Sequence, residues 1–198
     1  MAAVSIALSL MVAVRVWTWI GPAWAHPFTG PLAAALLVLV SGLPPAPIGD
    51  PLYAVAGVLI IAAAYGVALL IPRARRALAE PHFPTPWRTA LLEIPLATVI
   101  FEEVAFRGVL WTLVEQARGP IAATLTTAVL FGLWHISPDP GERPQFVTVA
   151  FTTLAGVVLG LLREFSGGLL APIAVHWAAN GLGVLFSAQA RRRTGKGT

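Results

Sequence analysis

Apolar residues run through this chain in long blocks, and most polar residues fall between them. Seven blocks approach the roughly 20 residues that cross a bilayer as an α-helix: about 2–20, 31–48, 51–71, 91–114, 120–137, 146–163 and 169–188. Proline and glycine punctuate the joints, at Gly21-Pro22, Gly30-Pro31, Asp50-Pro51, Gly119-Pro120, Ser137-Pro138 and Gly167-Gly168. Pro44, Pro45 and Pro47 break the end of the second block, since a proline lacks the backbone donor a helix needs. The pattern predicts an all-α, polytopic helical membrane protein of about seven transmembrane helices. No soluble domain is visible, and the longest polar segment is 72–88. No internal repeat is apparent, which leaves an inverted-repeat transporter without sequence support.

Composition agrees with that pattern. Of 198 residues, 57% are hydrophobic and 11% charged, against about 25% charged in soluble domains. The chain has no cysteine, which excludes disulfides, thiolate nucleophiles and cysteine-based metal sites. The net charge is +4, with basic residues in loops and at the C-terminus. They read as topology signals, and no nucleic-acid partner is expected. With Arg73, Arg75, Arg76 and Arg88 placed in the cytoplasm, Arg143 and the 189–198 tail (Arg191, Arg192, Arg193, Lys196) fall on the same side. Arg118 and Arg163 lie opposite, each near an acid. This predicts the N-terminus outside and the C-terminus cytoplasmic. The first block lacks a basic leader and is expected to stay uncleaved, although Ala23-Trp-Ala25 faintly resembles a cleavage site. The tail anchors topology or touches anionic lipid.

Three polar groups interrupt the apolar blocks and need explaining. The fourth block carries Glu102-Glu103-x-x-x-Arg107, the fifth Phe131-Gly-Leu-Trp-His135, and the seventh His176-Trp-Ala-Ala-Asn180. A charge at the bilayer centre costs about 2.5–3.5 kcal/mol on insertion scales. Arg107, one turn after Glu103, compensates that acid, which leaves Glu102 without a local partner. The i,i+4 spacing puts His176 and Asn180 on one helical face. If the three helices meet in a bundle core, they bring together a carboxylate, two imidazoles and an amide. That set suits water activation by a general base and stabilisation of an oxyanion.

Each group also has a plainer reading. Glu103–Arg107 alone is a structural ion pair, His135 alone an interfacial residue, and His176 with Asn180 interhelical glue. Trp111, Trp134 and Trp177 read as packing, and His26 and His82 as solvated loop residues. Their joint occurrence on three helices favours a site.

The three motifs together resemble the signature of the CPBP (CAAX protease and bacteriocin-processing, or Abi) family of intramembrane proteases. The resemblance covers about residues 86–188; residues 1–80 carry no family feature and read as additional N-terminal transmembrane helices. It implies a helical membrane fold with the active site in the bundle core and peptide-bond hydrolysis of a membrane-embedded or lipid-attached protein. It further implies Glu102 as the base that activates water, His135 as the residue positioning that water, and His176 with Asn180 as oxyanion stabilisers. Glu103, Arg107 and Phe131 would be supporting residues. A divalent metal such as zinc, if bound, would take Glu102, His135 and His176. Asparagine is a poor zinc ligand and there is no His-Glu-x-x-His motif, so metal-free glutamate catalysis is the expectation. The location expected is a bacterial inner membrane, with the lipid bilayer and a lipidated or membrane-inserted peptide as partners. CAAX-like processing and removal of a C-terminal sorting signal both fit. A non-catalytic immunity or scaffold protein and a proton-coupled transporter are the alternatives.

Overall fold

The computed structural model describes residues 2–138 and 144–195. Among them there is no strand. We label the helices α1 (Ala2–Ile20), α2 (His26–Ser41), α3 (Pro51–Leu70), α4 (Pro72–Leu78), α5 (residues 86–118), α6 (residues 120–134), α7 (Gln145–Ser166) and α8 (Leu170–Arg193). Four segments are long and apolar enough to cross a membrane: Ala23–Ser41, Pro51–Leu70, Gln145–Ser166 and Leu170–Arg193. Val4–Ile20 is a shorter apolar helix. The chain is an all-α polytopic membrane protein. Its outward faces carry exposed apolar side chains, such as Leu52, Leu59 and Ile60 on α3 and Phe146, Phe151 and Phe165 on α7. That is what a lipid-facing surface requires.

Each of the seven apolar blocks contains a helix, but the second is helical only to Ser41, and one joint moves. Gly30-Pro31 is not a turn; it lies within α2, which starts at His26. Pro27 takes a first-turn position, where the missing amide is not needed. Gly30 serves packing instead, because a Cβ there would collide with the carbonyl of Leu96 on α5. His26 consequently opens a helix and is half-buried, whereas His82 is an exposed loop residue.

α5 is not a uniform helix. Pro95 lacks an amide, and π-helical turns at Thr89–Glu93, Pro95–Val99 and Val104–Leu110 alternate with α-helical ones. Such turns are frequent at functional sites. Gly119 ends α5 with φ 81° and ψ 171°, a conformation open to glycine, and Pro120 starts α6.

The core is shared by N- and C-terminal helices. Ala7, Met11, Ala34 and Leu37 from α1 and α2 pack with Phe101, Ala105, Phe106 and Phe131 from α5 and α6. α6 and α7 approach closely through glycine, since a Cβ on Gly156 would lie 2.9 Å from the Ala128 Cα. At one end of the bundle the tail meets the 72–88 segment: Arg191 donates to the Ala79 carbonyl (3.1 Å) and Ser187 to that of Pro81 (3.1 Å). Arg143 and Lys196 lie outside the described residues. Arg163 is not a loop charge but a buried residue of α7.

Candidate active site

Among the described residues, the turn that carries the paired acids is deeply buried. Glu102 is 4% exposed, and Glu103 and Arg107 are fully buried. Successive residues of a helix point about 100° apart, so the two acids enter different surroundings. Glu103 Oε1 accepts from Arg107 Nη1 at 3.0 Å, one turn later, and from His176 Nδ1 on α8 at 2.7 Å. Arg107 Nη2 donates to the Gly156 carbonyl on α7 at 3.2 Å. Arg163 braces the same π-helical turn: its Nε donates to the Arg107 carbonyl at 3.1 Å, and its guanidinium lies 4.8 Å from the Trp111 ring centre. One ionic cluster therefore ties α5, α7 and α8 together.

Glu102 is held by a single contact. Its Oε1 accepts from the Trp134 indole on α6 at 2.9 Å. Its Oε2 is buried with no hydrogen-bond partner and lies 3.9 Å from His176 Nε2. Because His176 uses Nδ1–H on Glu103, its other ring nitrogen is the one that faces Glu102. Glu103 Oε2 and Arg107 Nε are also buried without a hydrogen-bond partner; Glu102 Oε2 differs in facing a ring nitrogen across a gap that a water would bridge.

Phe131 is the hub between the two histidines. The Arg107 guanidinium stacks 4.3 Å from its ring centre. His135 and His176 meet its ring edge-on, at centroid distances of 4.7 and 5.7 Å. His135 is half-buried at the end of α6, and its Nδ1 donates to the Phe131 carbonyl at 2.8 Å. That bond fixes the tautomer and leaves the lone pair on Nε2.

The structure thus gathers Glu102, Glu103, Arg107, Phe131 and His176, with His135 against the ring of Phe131. It does not bring Asn180 to them. Asn180 is exposed and lines a separate cavity of ≈ 690 Å³ with Tyr65, Leu78 and Phe83. Asn180 lies on the π-helical turn Ala178–Leu182, next to Ala179, whose carbonyl accepts from Tyr65 Oη at 2.6 Å. Among the described residues, no three histidine or acidic side chains are grouped so as to hold a metal ion.

Sequence reasoning also passed over two contributors. Trp134 reads as packing, yet its indole N–H is the donor on Glu102. A buried tryptophan N–H needs a partner, and its place one residue before His135 was the available signal. Arg163 reads as a topology charge, yet it braces the π-helical turn. The Trp111 and Trp177 indoles donate away from the paired acids, to Thr124 Oγ1 (3.2 Å) and the Ala90 carbonyl (2.8 Å).

Comparison with known proteins places this geometry in a family. Residues 84–182, half of the chain, match the family described as Type II CAAX prenyl endopeptidase Rce1-like. The chain belongs to this family. The matched segment contains all three polar motifs and excludes α1–α4. The chain is also similar to a protein of Escherichia coli described as "Uncharacterized 24.3 kDa protein", at 31% identity over 105 residues. That match covers 48% of this chain and 43% of the Escherichia coli protein, so it spans under half of that relative's length. No solved structure matches the chain.

Proposed function

We propose that this protein is an intramembrane endopeptidase in which Glu102 activates the hydrolytic water. The observation that carries this reading is the buried, unpartnered Glu102 Oε2 facing His176 Nε2 across 3.9 Å. A water about 2.8 Å from each atom would bridge them. Glu102 takes a proton from that water as its oxygen attacks the scissile carbonyl carbon. The tetrahedral intermediate then collapses, the C–N bond breaks, and Glu102 returns the proton to the leaving amine. Trp134 holds the other carboxylate oxygen and so aims Oε2 at the water. Glu103 and Arg107 fix His176, which shares the water with Glu102. His135, with its lone pair on Nε2, is the second imidazole available to the water or the leaving group. Asn180 has no part in this arrangement. Family membership supports peptide-bond cleavage of a prenylated or otherwise membrane-attached substrate, CAAX-like or a C-terminal sorting signal. We place the enzyme in a bacterial inner membrane with its C-terminus cytoplasmic, following the basic residues of the 72–88 segment and the tail.

The test compares wild type with Glu102→Gln on a set of membrane peptides, with and without chelator, read by mass spectrometry. Cleavage by wild type alone, unaffected by chelator, is expected. Chelator-sensitive cleavage would make it a metal enzyme. Equal cleavage by both proteins would remove Glu102 from the chemistry.

A further inference from the structure

An apolar cavity of ≈ 310 Å³ lies beside the candidate site, between α1 and the α5–α6 pair. Met11, Val12 and Val16 of α1 face Phe106, Leu130 and Leu133 across it. Its wall contains one charge, Arg15. The Arg15 guanidinium lies 5.0 Å from the Trp19 ring centre and 5.3 Å from that of Trp134, and Nη2 donates to the Ile136 carbonyl at 3.2 Å. Its Nε is buried without a hydrogen-bond partner; Glu102 is the acid its charge feels, and it lies beyond ion-pair distance, so no carboxylate of the described residues touches the guanidinium. A guanidinium with free donors in an apolar wall is complementary to a carboxylate, which its planar fork binds through two parallel hydrogen bonds.

We propose that Arg15 holds the free carboxylate at the substrate's C-terminus, while the cavity takes the apolar terminal side chains. Distance to the chemistry supports this occupant. Trp134 touches both ends: its indole N–H is on Glu102 and its ring faces Arg15. Those two contacts keep the guanidinium and the carboxylate within about 10 Å, the reach of about three extended residues. Anchoring a C-terminus on Arg15 therefore sets the scissile bond a few residues from the end. The position of the cut rests on Glu102 as the base; binding of the carboxylate does not. Arg15 lies outside the family-matched segment, so this specificity would be supplied by the N-terminal helix of this chain.

The experiment is a binding measurement that needs no cleavage. A dodecanoylated tetrapeptide of leucine and valine, as free acid and as carboxamide, is titrated into detergent-solubilised wild type, Arg15→Gln and Arg15→Lys. Quenching of tryptophan fluorescence reports occupancy, since Trp19 and Trp134 line the cavity. Wild type should bind the acid roughly 10- to 100-fold more tightly than the amide, the worth of a charge-assisted hydrogen-bonded pair. Arg15→Gln should lose that preference while still binding the amide, and Arg15→Lys should keep part of it. Equal binding of acid and amide by wild type would overturn the proposal whatever the variants do. So would an acid preference that survives Arg15→Gln, or an equal loss of both ligands, the signature of a merely structural brace. Suppression of the acid preference by phosphatidylglycerol would assign Arg15 to a lipid headgroup and overturn it too. Retained acid preference in a protein that cleaves nothing would leave this inference standing and sink the catalytic reading instead.

Discussion

Glu102 and Glu103 are neighbours with opposite surroundings. Glu103 is ion-paired: Arg107 and His176 occupy its Oε1 and bind α7 and α8 to α5, while its Oε2 is buried with no hydrogen bond. Glu102 has one neutral donor, Trp134, and a buried oxygen with none. The first carboxylate holds three helices in place; the second is left with capacity to react. Each acid keeps one buried oxygen without a hydrogen bond, so the comparison turns on the charged donors that Glu103 has and Glu102 lacks. It also separates stability from activity, so substitutions on the two sides should fail in different ways.

The largest effect is expected on the ion-paired side. Arg107→Met strands Glu103 without its cation. Removing one partner of a buried pair costs about 3–5 kcal/mol, so thermal unfolding in detergent should show a marked loss of stability together with loss of cleavage. Stability close to wild type would break the comparison. On the reactive side, Trp134→Phe removes the donor to Glu102 with little change in volume. Cleavage should fall roughly 10- to 100-fold, as for loss of a hydrogen bond to a charged group, with the unfolding midpoint almost unmoved. A smaller effect is expected from Gly156→Ala, which pushes α7 away from Ala128 and shifts the carbonyl that Arg107 uses. Overpacking of this kind costs about 1–3 kcal/mol, and Gly156→Ala should lower stability and activity together. Asn180→Ala should matter least, changing kcat by less than about threefold, the margin of an exposed substitution. A hundredfold loss there would mean that Asn180 takes part in the site when substrate binds.

The helical membrane fold was legible because apolar length and proline-glycine punctuation survive any packing. α1, α3 and α7 begin and end close to the expected positions. The start of α2 was not, because Gly30 serves a close approach to α5 that only the tertiary structure reveals. The three motifs were legible because polar side chains are costly among apolar ones. Their division of labour was less so. Periodicity presumes α-helical winding, and the π-helical turns at Val104–Leu110 and Ala178–Leu182 alter it where the motifs sit. His176 reaches Glu103, whereas Asn180 is exposed and lines the cavity beside Tyr65. Trp134 and Arg163 escaped notice because an indole and a charge near helix ends have common, plainer roles.

The most direct test compares Glu102→Gln and Glu103→Gln side by side, measuring both cleavage rate and unfolding in detergent. Glu102→Gln should lower cleavage about 10³-fold, within the range for loss of a general base, with stability preserved. Glu103→Gln should lower stability, and its loss of cleavage should track the unfolded fraction. Full cleavage by a well-folded Glu102→Gln protein would contradict the account.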